Sequence, residues 1–303
     1  MEQPIEAAGG ERVERRLVAV DPAGSRAASG TGAAIAARQR RSPTFLIWFL
    51  PLPLLLLLAL PLVALVWRGA SGGGLSPEGL STLRQALGLS LATSAVSSGA
   101  IVLFGTPLAF ALARRRFAGA RAVDLLIDLP IVLPPSVAGI ALLLAFGRFG
   151  LVGAWLNGAG VTVGFTTVAV VLAQTFVAAP FYVRAAAGAF RRIDRDLEEA
   201  AADLGATPWR TLRVVTLPLA LPSLLAGAVL AWARALGEFG ATIMFAGNFP
   251  GVTQTMPLAI YGRYGAGDLE TAILLSLALL VASAATLAGA RALVGNRAAS
   301  SVV

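Results

Sequence analysis

The sequence predicts an all-α membrane protein in which six transmembrane helices follow a disordered N-terminal tail. Three observations lead there. Of 303 residues, 57% are hydrophobic and only 13% charged, with a mean hydropathy of +0.78, too little charged surface for a soluble chain of this size. Apolar runs long enough to cross about 30 Å of hydrocarbon recur along the chain. Arginines gather in every second connection between those runs, the asymmetry that orients membrane proteins.

Residues 1–43 are rich in Ala, Gly and Arg without sustained periodicity, which predicts a disordered cytoplasmic tail. About 40 residues before the first apolar run are too many for a signal peptide, and the acidic residues among them do not suit a transit peptide. The first span occupies 44–68, with Trp48 and Trp67 near its ends, where amphipathic rings prefer the interface. A Gly- and Ser-rich loop, Ala70 to Glu78, follows. Residues 85–293 form the core, with helices expected at about 87–113, 123–146, 166–190, 219–246 and 271–294.

Small residues from Ser90 to Ala100 let neighbouring helix backbones approach closely. Pro130, Pro134 and Pro135 should kink or break the third span. Irregular backbone survives at membrane depth only inside protein or beside a wet cavity. Ser136 is therefore either part of a packing kink or a candidate pathway residue.

Orientation follows from the arginines. They cluster in the tail (Arg12, Arg15, Arg16, Arg26, Arg38, Arg40, Arg41) and after the second span (Arg114, Arg115, Arg116, Arg121). They cluster again after the fourth span (Arg191, Arg192, Arg195, Arg210, Arg213) and at the C-terminus (Arg291, Arg297). The alternate loops hold only Arg68, Arg84, Arg148 and Arg263. The tail, the 2–3 and 4–5 loops and the C-terminus are thus predicted on the cytoplasmic side of a bacterial inner membrane. An even helix count agrees.

Composition also excludes chemistry. There is no Cys and no His, and all 24 basic residues are Arg. Thiolate sites, the commonest general base and a Lys-dependent phosphate-binding loop are all missing. No catalytic residue, metal ligand or cofactor is expected. The net charge of +8 lies in short clusters between apolar runs, which argues against a nucleic-acid partner.

The 4–5 loop carries the decisive motif. Asp194, Asp196, Glu198 and Glu199 fall in the first turns of a short helix, where the helix dipole favours them. The chain then reads Glu199-Ala200-Ala201, three residues, Gly205, nine residues, Val215, one residue, Leu217-Pro218. Two small side chains and a glycine suit a surface that another protein approaches closely. This pattern resembles the signature of binding-protein-dependent ABC importer permeases, with Val215 where Ile is usual, and the resemblance covers residues 85 to 293. It implies a type I ABC importer permease fold and a coupling helix that docks on an ATPase subunit. The implied contact residues are Glu199, Ala200, Ala201, Gly205, Leu217 and Pro218.

A second segment, Arg234 to Tyr261, resembles the fifth helix and following loop of molybdate permeases, and its Leu236-Gly-Glu-Phe-Gly-Ala241 part is shared with sulfate and thiosulfate permeases. Leu133-Pro-Pro135 and Gly147-Arg-Phe-Gly150 point the same way. The implied substrate is molybdate, with sulfate, thiosulfate or tungstate as alternatives. Arg234 and Glu238 lie i,i+4 in a membrane helix and can pair on one face. Ionisable groups at that depth mark candidate sites, so Arg234, Glu238 and the nearby Thr242 are candidate pathway or gate residues beside Ser136. A carboxylate repels an oxyanion, so a structural pair is the first reading of Glu238.

The resemblance implies alternating access by a homodimer of permease subunits, driven by two cytoplasmic ATPase subunits and supplied by an external molybdate-binding protein. A secondary transporter, the alternative from another class, would show inverted repeats and has no use for the Glu-Ala-Ala loop.

Overall fold

The computed structural model describes residues 49–114 and 117–300, with side chains described up to residue 289. The predicted tail, the start of the first span and the pair Arg115 and Arg116 lie outside the described residues. The chain divides into two units, Met1–Pro61 and Leu62–Val303. The described residues of the first lead into α1 (Leu52–Ser71), whose part from Leu62 on belongs to the second; it is an apolar helix with exposed leucines along it. A helix apolar all round belongs in lipid or a large core.

The second unit contains α2 (Pro77–Arg114), α3 (Ala120–Val132), α4 (Pro135–Phe146), α5 (Gly153–Gly158) and α6 (Thr167–Arg192). There follow α7 (Arg195–Asp203), α8 (Pro208–Thr211), a π-helical turn at Leu212–Thr216, α9 (Leu217–Leu236), α10 (Gly240–Ala246), α11 (Met256–Gly265) and α12 (Leu269–Ser300). Among the described residues, five helices are long and apolar enough to cross a membrane: α1, α2, α6, α9 with its preceding turns, and α12.

The sequence places these helices and, through its prolines, the break in the third span, but misses the helix ends and a second interruption after Leu236. The second helix starts at Pro77, well before the predicted 87, because Ser76 Oγ accepts the Gly79 N–H at 3.0 Å and caps a polar first turn. The expected 123–146 helix is two helices. Leu133 and Pro134 adopt extended backbone, and Pro134 and Pro135 supply no N–H to carry the ladder across. The expected 219–246 helix is also two, α9 ending at Leu236 and α10 starting at Gly240. The two interruptions pack together. A Cβ on Gly240 would lie 2.4 Å from Pro135 Cβ, and one on Gly139 would lie 2.7 Å from the Ala241 carbonyl. Only glycine permits this backbone approach.

Helix α6 is central, packing against α2, α9, α10 and α3. Its Ala173, Ala178, Ala186 and Ala187 are buried, as are Tyr182 and Phe190. The small-residue run of α2 works by hydrogen bonding as well as by size. Ser90 Oγ accepts the Met256 N–H at 2.7 Å, Ser94 Oγ accepts the Trp232 indole N–H at 2.7 Å, and Ser97 Oγ lies 3.0 Å from Gln174 Oε1. In hydrocarbon such polar contacts substitute for the missing hydrophobic drive between helices.

Another polar feature joins α3 to α6. The Arg184 guanidinium pairs with both Asp124 and Asp128, one turn apart on α3. Its Nε donates to Asp128 at 2.7 Å, and a terminal nitrogen donates to the Asp124 carbonyl at 2.7 Å. The fork geometry of Arg fits this arrangement.

Candidate functional site

The residues singled out in the sequence gather in two places. The first is the arginine-rich end of the bundle, on α7, α8 and the π-helical turn. Asp194 caps α7 by accepting the Asp196 N–H at 3.1 Å. At the other end Gly205 has φ +82°, the Ala206 N–H bonds the Ala201 carbonyl at 3.0 Å, and the Gly205 N–H bonds the Ala202 carbonyl at 2.8 Å. This is a Schellman termination, which needs a left-handed residue where glycine stands. Glu199, Ala200 and Gly205 are exposed and Ala201 is half-buried. Leu204 is 91% exposed and Trp209 67% exposed, so two large apolar groups stand in the open beside the helix. Trp209 borders a hollow of about 510 Å³ lined also by Phe110, Glu198, Glu199, Leu212 and Thr216.

Leu217 and Pro218 act differently from the rest of this group. They open α9, with Leu217 half-buried and Pro218 exposed. Pro218 lacks an N–H, and its ring would crowd the carbonyl four residues back. The helix widens ahead of it, and the Leu217 N–H reaches five residues back to Leu212. They stand where the widened turn runs on from α8 into α9.

Glu198, which the sequence reading passed over in favour of Glu199, is the polar anchor of this region. It forms an ion pair with Arg114 at the end of α2 and accepts the Thr216 hydroxyl at 2.8 Å. The Arg114 side chain is only 4% exposed and lies 5.5 Å from the centre of the Phe110 ring. No local pattern in the sequence joins residues so far apart. An Arg at the very end of an apolar span was the available hint.

The second place is the paired interruption. Arg234 Nη1 lies 2.8 Å from Glu238 Oε2, and the Glu238 side chain is 1% exposed. The other Glu238 oxygen accepts the Ala241 N–H at 2.8 Å and so caps α10. Arg234 also lines a cavity of about 130 Å³, bounded by Pro130, Leu133, Pro135, Val177 and Phe181. Thr242 is fully buried and its hydroxyl has no hydrogen-bond partner among the described residues. Ser136 is exposed at the start of α4. Neither Thr242 nor Ser136 lines the cavity that Arg234 reaches. Arg184, Asp124 and Asp128 went unnoticed in the sequence, although charges within apolar spans were the available signal.

The following loop is tightly tied. Gln254 Nε2 donates to Asn248 Oδ1 at 3.0 Å, Asn248 Nδ2 donates to the Leu258 carbonyl at 3.1 Å, and Thr253 Oγ1 accepts the Phe249 N–H at 2.9 Å. Residues that marked this loop in the sequence therefore hold its shape.

Comparison with known proteins agrees with this architecture. The chain matches the family of binding-protein-dependent transport system inner membrane components over residues 101–296. It is 52% identical over 196 residues to the molybdenum transport system permease protein ModB of Mycobacterium tuberculosis, covering 65% of this chain and 74% of that protein. It is 38% identical over 179 residues to the probable sulfate transport system permease protein cysT of Nephroselmis olivacea, covering 57% and 63%. In fold it resembles a chain of the MetNI methionine ABC transporter in inward facing conformations, with a TM-score of 0.60 and 22% identity, covering 73% of this chain and 99% of that one. The family match spans most of α2 through α12, and the chain belongs to the binding-protein-dependent transport system inner membrane components, as a multi-pass permease subunit and not an enzyme.

Proposed function

We propose that this chain is the molybdate permease of an ABC importer, working as a homodimer with two ATPase subunits and an external molybdate-binding protein. Its arginine-rich end faces the cytoplasm, which puts both termini there. The observation that carries the reading is the α7–α8 surface. A helix closed by a left-handed glycine stands beside exposed Leu204 and Trp209 and a hollow of about 510 Å³. Exposed apolar groups outside the lipid mark a protein interface, and Glu199, Ala200, Ala201 and Gly205 are the contact residues of a docked ATPase. Leu217 and Pro218 set the direction in which α9 leaves that contact.

The substrate follows from the likeness to molybdenum permeases and from the charge at the paired interruption. Glu238 is occupied twice, by Arg234 and by the Ala241 N–H. An oxyanion therefore meets the guanidinium and not a free carboxylate. Arg has five donors, so the pair with Glu238 leaves others for the cavity. Arg234 guides the anion, Glu238 holds Arg234 and the start of α10, and Ser136 and Thr242 flank the interruption as gate residues. The domain plan is a cytoplasmic tail at 1–43, a separate first span, and a permease core from 85 to 293.

The likeness to a sulfate permease supports a second reading, import of sulfate. Labelled molybdate uptake separates the two, measured in cells lacking and then regaining this chain. Molybdate import predicts rescue that resists excess sulfate and yields to tungstate. Suppression by sulfate moves the assignment to sulfate. In the same assay Arg234→Gln should lower uptake while the complex still assembles, and unchanged uptake removes Arg234 from the pathway.

A further inference from the structure

We infer that Glu198 is a positioning residue, the strut that passes motion of the α7 surface into two membrane helices at once. The inference rests on the reading of α7 as the ATPase-docking helix and goes beyond it, because Glu198, at the edge of the hollow, binds this chain's own Arg114 and Thr216. Three elements meet at its carboxylate. Arg114 brings the end of α2, Thr216 brings the π-helical turn that opens α9, and Glu198 itself sits on α7.

The chemistry suits a rigid link. The Arg114 side chain is 4% exposed and that of Glu198 20%, so water does little to screen the pair. Arg114 is held on its other side by the Phe110 ring at 5.5 Å. One oxygen of Glu198 serves both Arg114 and the Thr216 hydroxyl, so α2 and the head of α9 share a single point of attachment. Backbone connection alone would carry motion from α7 to α9 through Gly205, the short α8 and a widened turn, a compliant route. Between α7 and α2 the intervening sequence is far longer, and among the described residues the Glu198–Arg114 pair is the salt bridge joining them. Movement of α7 without the strut would be absorbed in the loop.

The experiment uses the full complex, permease with its ATPase in proteoliposomes and the binding protein loaded with molybdate outside. Three quantities are read: ATPase co-purified per permease, ATP hydrolysed, and molybdate taken up per ATP. Glu198→Gln keeps the shape and the acceptor oxygen but removes the charge. The strut predicts normal co-purification, hydrolysis largely retained, and uptake per ATP reduced about tenfold, within the range by which residues along a coupling route act. A merely structural role would lower the amount of complex and leave uptake per ATP in the surviving complex unchanged, which overturns the proposal. Loss of co-purification by a folded Glu198→Gln permease would make Glu198 a docking contact, and also overturns it.

If the Glu198→Gln permease itself does not fold, Thr216→Val tests the same strut with the ion pair intact. It should give a smaller fall in uptake per ATP, and no fall refutes the link to α9. Failure of the unaltered permease to retain the ATPase would instead remove the docking reading itself, a result visible before any variant is compared.

Discussion

Gly205 tests the docking surface most sharply, because its own chain offers a substituent no obstacle. A Cβ built there meets no atom within 4 Å, yet φ is +82°. Within the isolated chain the cost of Gly205→Ala is thus conformational, about 1–2 kcal/mol for a left-handed non-glycine residue. That shifts the balance between the native turn and its alternatives by roughly 5–30-fold. Gly205→Asn costs less, since Asn visits this region more readily, but its side chain is longer. Gly205→Trp adds the backbone cost and the largest bulk. Conformation alone ranks Asn nearest to the parent, with Ala and Trp together below it. Close approach by an ATPase ranks Ala nearest, Asn below it despite the cheaper backbone, and Trp without transport. The assay is molybdate uptake in membrane vesicles, with permease insertion and ATPase co-purification measured on the same preparations. The expected order is Ala, Asn, Trp with insertion unaffected. Transport by Gly205→Trp at the parent level would refute docking at this turn.

Two further outcomes bear on the fold. Gly139→Ala places a Cβ 2.6 Å from Met244 Cβ and 2.7 Å from the Ala241 carbonyl, overpacking that costs about 1–3 kcal/mol. It should lower the thermal midpoint of the solubilised protein, and an unchanged midpoint would show that α4 and α10 are not in contact as described. Asp268 heads α12 and is held below the usual carboxylate range by the Thr271 hydroxyl, then by the Thr271 N–H and the Arg263 charge. A depressed folded value adds stability above the unfolded one and loses it as pH falls through the folded value. Asp268→Asn should therefore melt earlier than the parent at neutral pH and match it in acid. A gap that persists in acid contradicts the assignment.

The long helices were legible because hydropathy sums over many residues and tolerates local error. The break in the third span was legible too, since adjacent prolines remove donors wherever they fall. The break after Leu236 was not. Nothing in Ala235-Leu-Gly-Glu-Phe-Gly240 forbids a helix, and what ends it is tertiary: Glu238 turns inward to cap α10 while Gly240 seats against Pro135. The Glu-Ala-Ala motif drew attention to the exposed Glu199, whereas the half-buried Glu198 forms the internal ties. A motif records which residues recur at a spacing, and it carries no information on which side of the helix meets the rest of the chain.

The charged groups in the spans follow a common logic once their partners are known. Removing a charge from water is costly unless a partner and hydrogen bonds replace the solvent. Arg184 has two carboxylates and a carbonyl, and Glu238 has a guanidinium and an N–H. Each set also lies next to an interruption in the helices. The consequence is a division of labour within the third segment. Its first half, α3, is tied to α6 by the Arg184 fork, an attachment at the ends of long side chains. Its second half, α4, is tied to α10 through Gly139 and Gly240, an attachment of backbone to backbone. Side-chain ends can turn while staying paired, whereas backbones in contact must slide or separate. A displacement of α10 therefore reaches α4 directly, whereas it reaches α3 through the extended Leu133–Pro134 joint or through α6, which packs against both α10 and α3. Arg234 lines the cavity beside that joint, at the point where the two kinds of attachment meet.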